Sequence, residues 1–247
     1  MFSKSYTKYI QSLQHKKARD EAGVFVAEGP KLVPELLQSG KFICRQLFAT
    51  TEWINHNSPL LNNHTIDLIP VKDFELEKLS LLASANEVLA VFEKIKMQED
   101  FSLKGKITLM LDGIQDPGNL GTIIRIADWY AIENIICSEM CADIYNSKVV
   151  QSTMGSIARL NIIYTNLREW LVVYKPTAVY AATLNGKNMA DFAGVKEGVL
   201  VIGNESKGIS NELLQLASNK ITIPKRGNAE SLNAAVATGI ILSHLIK

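Results

Sequence analysis

The sequence predicts an α/β protein in two parts, a small α/β sandwich followed by a larger α/β domain on a parallel sheet. Short apolar runs alternate with helix-period segments along the whole chain. In the second half the runs, such as Ile107 to Leu111 and Val199 to Ile202, are apolar throughout, as strands covered on both faces are. Between the halves, Glu93 to Lys106 (EKIKMQEDFSLKGK) is dense in charge and poor in apolar periodicity, which marks a linker. Domains are therefore expected over residues 1–97 and 106–247, with 98–105 joining them. A chain of 247 residues with 47% hydrophobic content can fill two cores.

From Lys4 to Arg19, Tyr6, Tyr9, Ile10 and Leu13 recur at helical spacing, so one amphipathic helix is expected, with Lys4, Lys8, Lys16, Lys17 and Arg19 forming a basic face free of acids. A strand at Val24–Ala27 and a helix around Lys31–Gln38 follow, the latter stopped by Ser39-Gly40. Strands are expected at Cys44–Ala49, Ile66–Ile69 and Val88–Phe92, and helices near Thr51–His56 and Lys72–Leu82. Beyond the linker, strands at Ile107–Leu111, Asn134–Cys137, Leu160–Tyr164, Ala178–Ala182, Val199–Ile202 and Lys220–Ile223 alternate with helices near Leu120–Tyr130, Ile144–Gln151, Leu167–Tyr174, Asn211–Ala217 and Ser231–Ile246.

Composition narrows the function classes. No apolar run reaches the roughly 18 residues a membrane span needs, and the start MFSKSYTKYI lacks the apolar core of a secretory signal, so a cytoplasmic protein is expected. Cys44, Cys137 and Cys141 are too few for a disulfide framework, and His15, His56, His64 and His244 lack ligand spacing, so no metal site is expected. Net charge is only +1, which leaves the basic N-terminal stretch as the local feature that attracts phosphate or merely solvates a helix.

Parallel sheets gather ligands outside the carboxyl ends of their strands. Three stretches run from a strand through a polar loop there: Leu109 to Arg125, Val199 to Ser210, and Ile221 to Thr238. Neither glycine pattern completes a dinucleotide fingerprint or a phosphate loop. What remains is amides (Asn119, Asn204, Asn233), the Ser231 hydroxyl, the Glu205 carboxylate and the Arg125 guanidinium, a set suited to reading a polar small molecule and a phosphate rather than to thiol chemistry. Each has a plainer reading: Ser231 or Asn119 as a helix cap, Arg125 as a solvated helix position, Glu205 as a surface acid.

Together, Asn119-x-Gly121-x-x-x-Arg125, Gly203-Asn204-Glu205-x-x-Gly208 and Ser231-Leu232-Asn233 resemble, in order and spacing, the three motifs of the SpoU (TrmH) branch of the SPOUT RNA methyltransferases. The first half resembles that family's substrate-binding domain, a ribosomal-protein-like RNA-binding fold, through Lys16-Lys17-x-Arg19, Phe25-Val26-x-Glu28-Gly29 and Val88 to Val91. The resemblance implies a C-terminal trefoil-knot domain and S-adenosylmethionine-dependent methylation of a ribose 2′-hydroxyl in structured, ribosomal RNA. It implies cofactor binding around Thr183, Leu184, Gly203, Asn204, Glu205, Ile223, Ser231, Leu232 and Asn233, and an active site of Asn119, Arg125, Glu205, Ser231 and Asn233. RNA contacts are expected from Lys16, Lys17, Arg19, Arg125, Lys225 and Arg226. Lys225 departs from the family's usual Met, and Ala235 from a frequent Ser. A homodimer through the C-terminal domain is also implied, with Ile240-Ile241-Leu242 offered as interface or as core. The competing readings are a catalytically silent RNA-binding module, a transfer-RNA 2′-O-methyltransferase and, less well supported, a nicotinamide oxidoreductase.

Overall fold

In the computed structural model, which describes residues 4–62, 65–82, 84–99 and 101–246, the chain divides into two units, one of residues 1–96 with 143–158 and one of 97–142 with 159–247. The first unit opens with two helices where periodicity predicts one. Three successive tight hydrogen bonds, from the amides of Leu13, Gln14 and His15 to carbonyls three residues back, end α1 (Lys4–Ser12) before α2 (Lys16–Ala22) begins. The break lets Ile10 and Leu13 bury together. It also turns Arg19 inward.

Gly23, at φ 65°, closes α2 in the left-handed conformation that L side chains avoid. The chain continues through β1 (Val24–Glu28), α3 (Leu32–Ser39), β2 (Cys44–Ala49), α4 (Thr51–His56), α5 (Ser58–Leu61), β3 (Asp67–Pro70), α6 (Asp73–Leu79) and β4 (Val88–Glu93). The sheet order is β1-β4-β2-β3, with β4 antiparallel to β1 and β2 and β3 parallel to β2. Period-2 alternation sends Val24, Val26, Leu89 and Val91 to one face, against Ile10, Leu13, Leu76 and Leu79. On the other face, Phe25 packs on Phe92 and on Tyr145. The second layer includes α8 (Ser147–Thr153), a helix that chain order had assigned to the second half.

Glu28 ends β1 almost wholly buried, accepting from Ser80 Oγ at 2.5 Å and Leu81 N at 2.8 Å. Burial pushes its carboxyl above the ordinary value, outweighing both hydrogen bonds.

The second unit strings β5 (Ile107–Asp112), α7 (Pro117–Trp129), β6 (Asn134–Cys137), β7 (Asn161–Tyr164), α9 (Leu167–Tyr174), β8 (Val179–Asn188), β9 (Gly198–Gly203), α10 (Asn211–Leu216), β10 (Asn219–Thr222) and α11 (Ala234–Leu245). All its strand pairs are parallel, in the order β10-β8-β9-β5-β6-β7. The chain leaves β5 toward β6 on one side, while β9 lies on the other. The loops after β5 and β9 therefore sit side by side at the carboxyl edge, with Asp112 paired to Gly203.

β8 is longer than its apolar core predicts. Its partners on β10 jump from Ala181 opposite Lys220 to Lys187 opposite Ile221, so residues 182–186 swing out of the ladder. Gly186 closes this excursion where a Cβ would stand 2.6 Å from the Lys220 carbonyl oxygen, which only glycine tolerates. No described helix is long and apolar enough to cross a membrane.

Candidate active site

The three polar loops meet through one chain of hydrogen bonds. Asn233 caps α11, its Oδ1 accepting from the amides of Ala235 (2.9 Å) and Val236 (3.3 Å). That fixes the amide so that its Nδ2 donates to Asn119 Oδ1 at 2.9 Å. Asn119 must then point its own Nδ2 outward, and it donates to Glu205 Oε1 at 2.5 Å. Helix N–H groups at one end and an acceptor-only carboxylate at the other set the direction of every bond between them. The helix caps differ from both sequence readings. Asp116 caps α7 by accepting from Asn119 N, and Ser231 lies outside α11, exposed.

Asn204 holds the β9 loop in shape. Its Oδ1 accepts from Ser206 N and Lys207 N at 2.9 and 3.0 Å, and its Nδ2 donates to Gly113 O at 2.8 Å, tying this loop to the one after β5. Gly203 is required here, because a Cβ would lie 2.4–2.5 Å from the backbone of Gly208 and Ile209.

Beside the network lies a cavity of about 790 Å³, walled by the β8 excursion, the β9 loop and the segment leading into α11. Its floor is apolar, with Ile202, Ile221 and Ile241, and its rim carries Glu205 and Ser231. Thr183, Leu184, Gly203, Asn204, Ile223 and Leu232 also line it, so all the expected cofactor residues except Asn233 do. Asn233 instead borders a shallow groove with Asn119, Thr122, Ile126, Val236 and Ile240.

Thr183 Oγ1 is buried in the cavity wall without a hydrogen-bond partner. An orphan hydroxyl of this kind costs stability unless a ligand completes it. The volume, the apolar floor, the polar rim and this hydroxyl fit a nucleoside-bearing ligand such as S-adenosylmethionine. Sequence reasoning passed over Thr222, whose Oγ1 donates to Leu184 O at 3.1 Å, and Gly186, although Asn185-Gly186 is itself a turn signal.

Several expected residues fall elsewhere. Arg125 stands six residues beyond Asn119 on α7, about 120° around the helix; it is exposed and has no hydrogen-bond or ion-pair partner among the described residues. Glu205 thus anchors Asn119, not Arg125. Lys225 and Arg226 are exposed at the cavity rim, and Lys16 and Lys17 are exposed on α2.

Arg19, expected to contact RNA, is instead bound inside the protein. It is 1% exposed, bonds Asp143 Oδ2 through Nη2 at 2.6 Å and Nε at 3.2 Å, and uses Nη1 on the carbonyls of Leu13 and Gln14. With four of its five donors engaged inside the protein, it is not available to RNA. Ile241 and Leu242 are likewise buried core, which leaves Ile240 half-exposed.

The three cysteines are free and buried. Cys141 sits under the β5 loop, donating to Leu111 O and accepting from Ile114 N. A hydrogen bond from Cys137, aided by Ser138 and loop amides, lowers its thiol to about 7, and the same contact pushes Cys137 up.

Residues 106–243, more than half of the chain, match the SpoU rRNA Methylase family. The chain belongs to that family. Residues 4–90 of this SpoU protein match the MRM3-like substrate binding domain. It is 29% identical to the 23S rRNA (guanosine(2553)-2'-O)-methyltransferase RlmP of Bacillus subtilis, over 95% of the chain and 93% of that protein. Among solved structures it resembles an AdoMet-bound rRNA methyltransferase from Sinorhizobium meliloti (31% identity, TM-score 0.87, 98% of this chain and 95% of that one). It also resembles the SpoU methyltransferase AviRb of Streptomyces viridochromogenes in complex with AdoMet (25% identity, TM-score 0.86, 98% and 96%). The α/β-knot fold class implied by the motifs agrees with these matches.

Proposed function

We propose that this SpoU family protein is an S-adenosylmethionine-dependent methyltransferase acting on a ribose 2′-hydroxyl of ribosomal RNA. The observation that carries the reading is the directed chain Glu205–Asn119–Asn233 standing next to a cavity with an unsatisfied Thr183 hydroxyl. The names of the relatives support the substrate class, and the AdoMet-bound neighbours support the cofactor.

The cofactor supplies, when bound, a methyl group made electrophilic by a positively charged sulfur. The chain's contribution is position and electrostatics. Thr183, Ser231 and the backbone around Gly203 and Ile223 hold the cofactor. The Asn119 and Asn233 amides, fixed by Glu205 and by the first turn of α11, orient the ribose without reorganising during reaction. Arg125, a cation with five donors and no acceptor, takes an RNA phosphate and offsets charge developing on the 2′-oxygen. Lys16, Lys17, Lys225 and Arg226 bind backbone phosphates. Residues 1–97 serve as the RNA-binding domain and 106–247 as the catalytic one, with 98–105 as the joint.

The groove of Thr122, Ile126, Val236 and Ile240 between α7 and α11, with Val236 51% exposed, is the face through which two copies pair. The setting is cytoplasmic, consistent with three free thiols.

Calorimetric titration with S-adenosylmethionine, followed by mapping of 2′-O-methyl positions in ribosomal RNA from cells with and without the gene, tests the reading. Micromolar binding and one lost methyl position are expected; no cofactor binding by the unaltered chain would sink it. Full turnover by Arg125→Ala would remove Arg125 from the mechanism.

A further inference from the structure

The chain has three tryptophans, and they divide sharply. Trp53 and Trp170 are 3% and 5% exposed, whereas Trp129 is 84% exposed at the last turn of α7. An indole left in water forfeits a large apolar gain, and tryptophan is enriched where one surface meets another. Trp129 stands four residues after Arg125, one turn along the same face of α7.

The surroundings state the partner's chemistry. Asp128, the acid beside Trp129, is paired with Arg159 at 2.8 Å, so its charge is already balanced, while Arg125 adds an unbalanced cation one turn away. A flat exposed aromatic one helical turn from a guanidinium fits a nucleotide, which offers both a π-face and a phosphate. Tryptophan and arginine also recur at protein interfaces, so a contact between copies is the outcome that sedimentation separates from nucleotide binding. Trp129 does not belong to the apolar groove between α7 and α11, whose α7 side ends at Ile126.

We propose that the outward stripe of α7 is a binding surface for an unpaired RNA nucleotide, whose base stacks on Trp129 and whose phosphate is held by Arg125. Trp129 lies ten residues, about 15 Å, along α7 from Asn119. The stacked base is therefore a neighbour of the modified nucleotide, and Trp129 is a positioning residue rather than a catalytic one. The inference rests on the reading of the protein as an RNA methyltransferase.

The test uses the full chain, its Trp129→Ala and Trp129→Phe variants, and a fluorescein-labelled single-stranded oligouridylate as probe. Trp129→Ala is expected to weaken oligonucleotide affinity about tenfold, within the range of one lost base–aromatic stack, and Trp129→Phe to restore most of it. Tryptophan emission should be quenched by the oligonucleotide in the unaltered chain and not in Trp129→Phe, which keeps only the buried indoles. S-adenosylmethionine affinity and sedimentation behaviour should match across all three. Equal oligonucleotide affinity in unaltered and Trp129→Ala chains, or none in either, overturns the proposal. A change of oligomeric state in Trp129→Ala overturns it in favour of a contact between copies. Loss of cofactor binding in the unaltered chain overturns instead the underlying methyltransferase reading, so the two failures are told apart.

Discussion

Two polar networks, one in each unit, are built alike and do opposite things. Arg19 in the first unit bonds Asp143, 124 residues away, together with the carbonyls of Leu13 and Gln14, and is sealed from water. In the second unit Glu205, Asn119 and Asn233 also join segments 86 and 114 residues apart, but Asn119 is only half-buried and Asn233 faces solvent. The first network spends almost all its donors on the fold. The second fixes the direction of its amides and leaves their open edges for a ligand. Satisfaction inside the protein, more than residue type, separates a structural polar group from a functional one.

The largest expected effect attacks the buried network. Arg19→Ala strands the Asp143 carboxylate and two carbonyls, and urea denaturation should record a loss of about 3–5 kcal/mol. Cofactor affinity in whatever fraction stays folded should be normal. A stable Arg19→Ala protein with weakened RNA binding would reverse the comparison.

Asn233→Ala attacks the exposed network. Methyl transfer should fall roughly 100-fold, as when one preorganised donor is removed. Stability should fall by only about 1 kcal/mol, the worth of a lost helix cap. Equal damage to folding and activity would mean that Asn233 is no more than a cap.

Thr183→Val is a smaller and more pointed probe. Removing one hydrogen bond should weaken S-adenosylmethionine binding by about two- to tenfold. The ligand-free protein should melt at the same temperature or slightly higher, because a buried hydroxyl without a partner has gone. A lower melting point would show that the hydroxyl is already satisfied.

The smallest effect concerns Glu28. Burial raises its folded-state pKa above the unfolded value, so the folded protein holds the proton more tightly. Its contribution is present at and below the unfolded carboxylate pKa and is lost as pH rises through the folded one. Glu28→Gln keeps partners for Ser80 and Leu81 without the charge. It should stabilise the protein near neutrality and match it near pH of about 4, as read by denaturation at the two pH values.

Much of this was legible in the sequence because some signals are local. Continuous apolar runs located the strands of both sheets, and Ser39-Gly40 ended a helix where expected. The motif residues Asn119, Glu205 and Asn233 converge as the strand-end rule for parallel sheets predicts. What was not legible depended on distant chain. Lys16-Lys17-x-Arg19 reads as one basic cluster, but the turn at Leu13 to His15 points the third member at an aspartate that spacing does not reveal. Arg125 shares a motif with Asn119, yet six residues of helix put them on different faces. The fraying of β8 at 182–186 escaped notice because Ala178–Ala182 is apolar enough to look like a complete strand.

The stretch 143–158 belongs with residues 1–96, although the chain between them builds β5, α7 and β6. The first unit is therefore not a cassette. A stop codon after Lys96 would yield a polypeptide with a buried guanidinium lacking its counterion and a sheet face missing Tyr145 and α8. In recombination terms, exchanging this unit between members of the architecture takes three junctions, after Lys96, before Asp143 and after Ala158, and any exchange must carry Arg19 and Asp143 together.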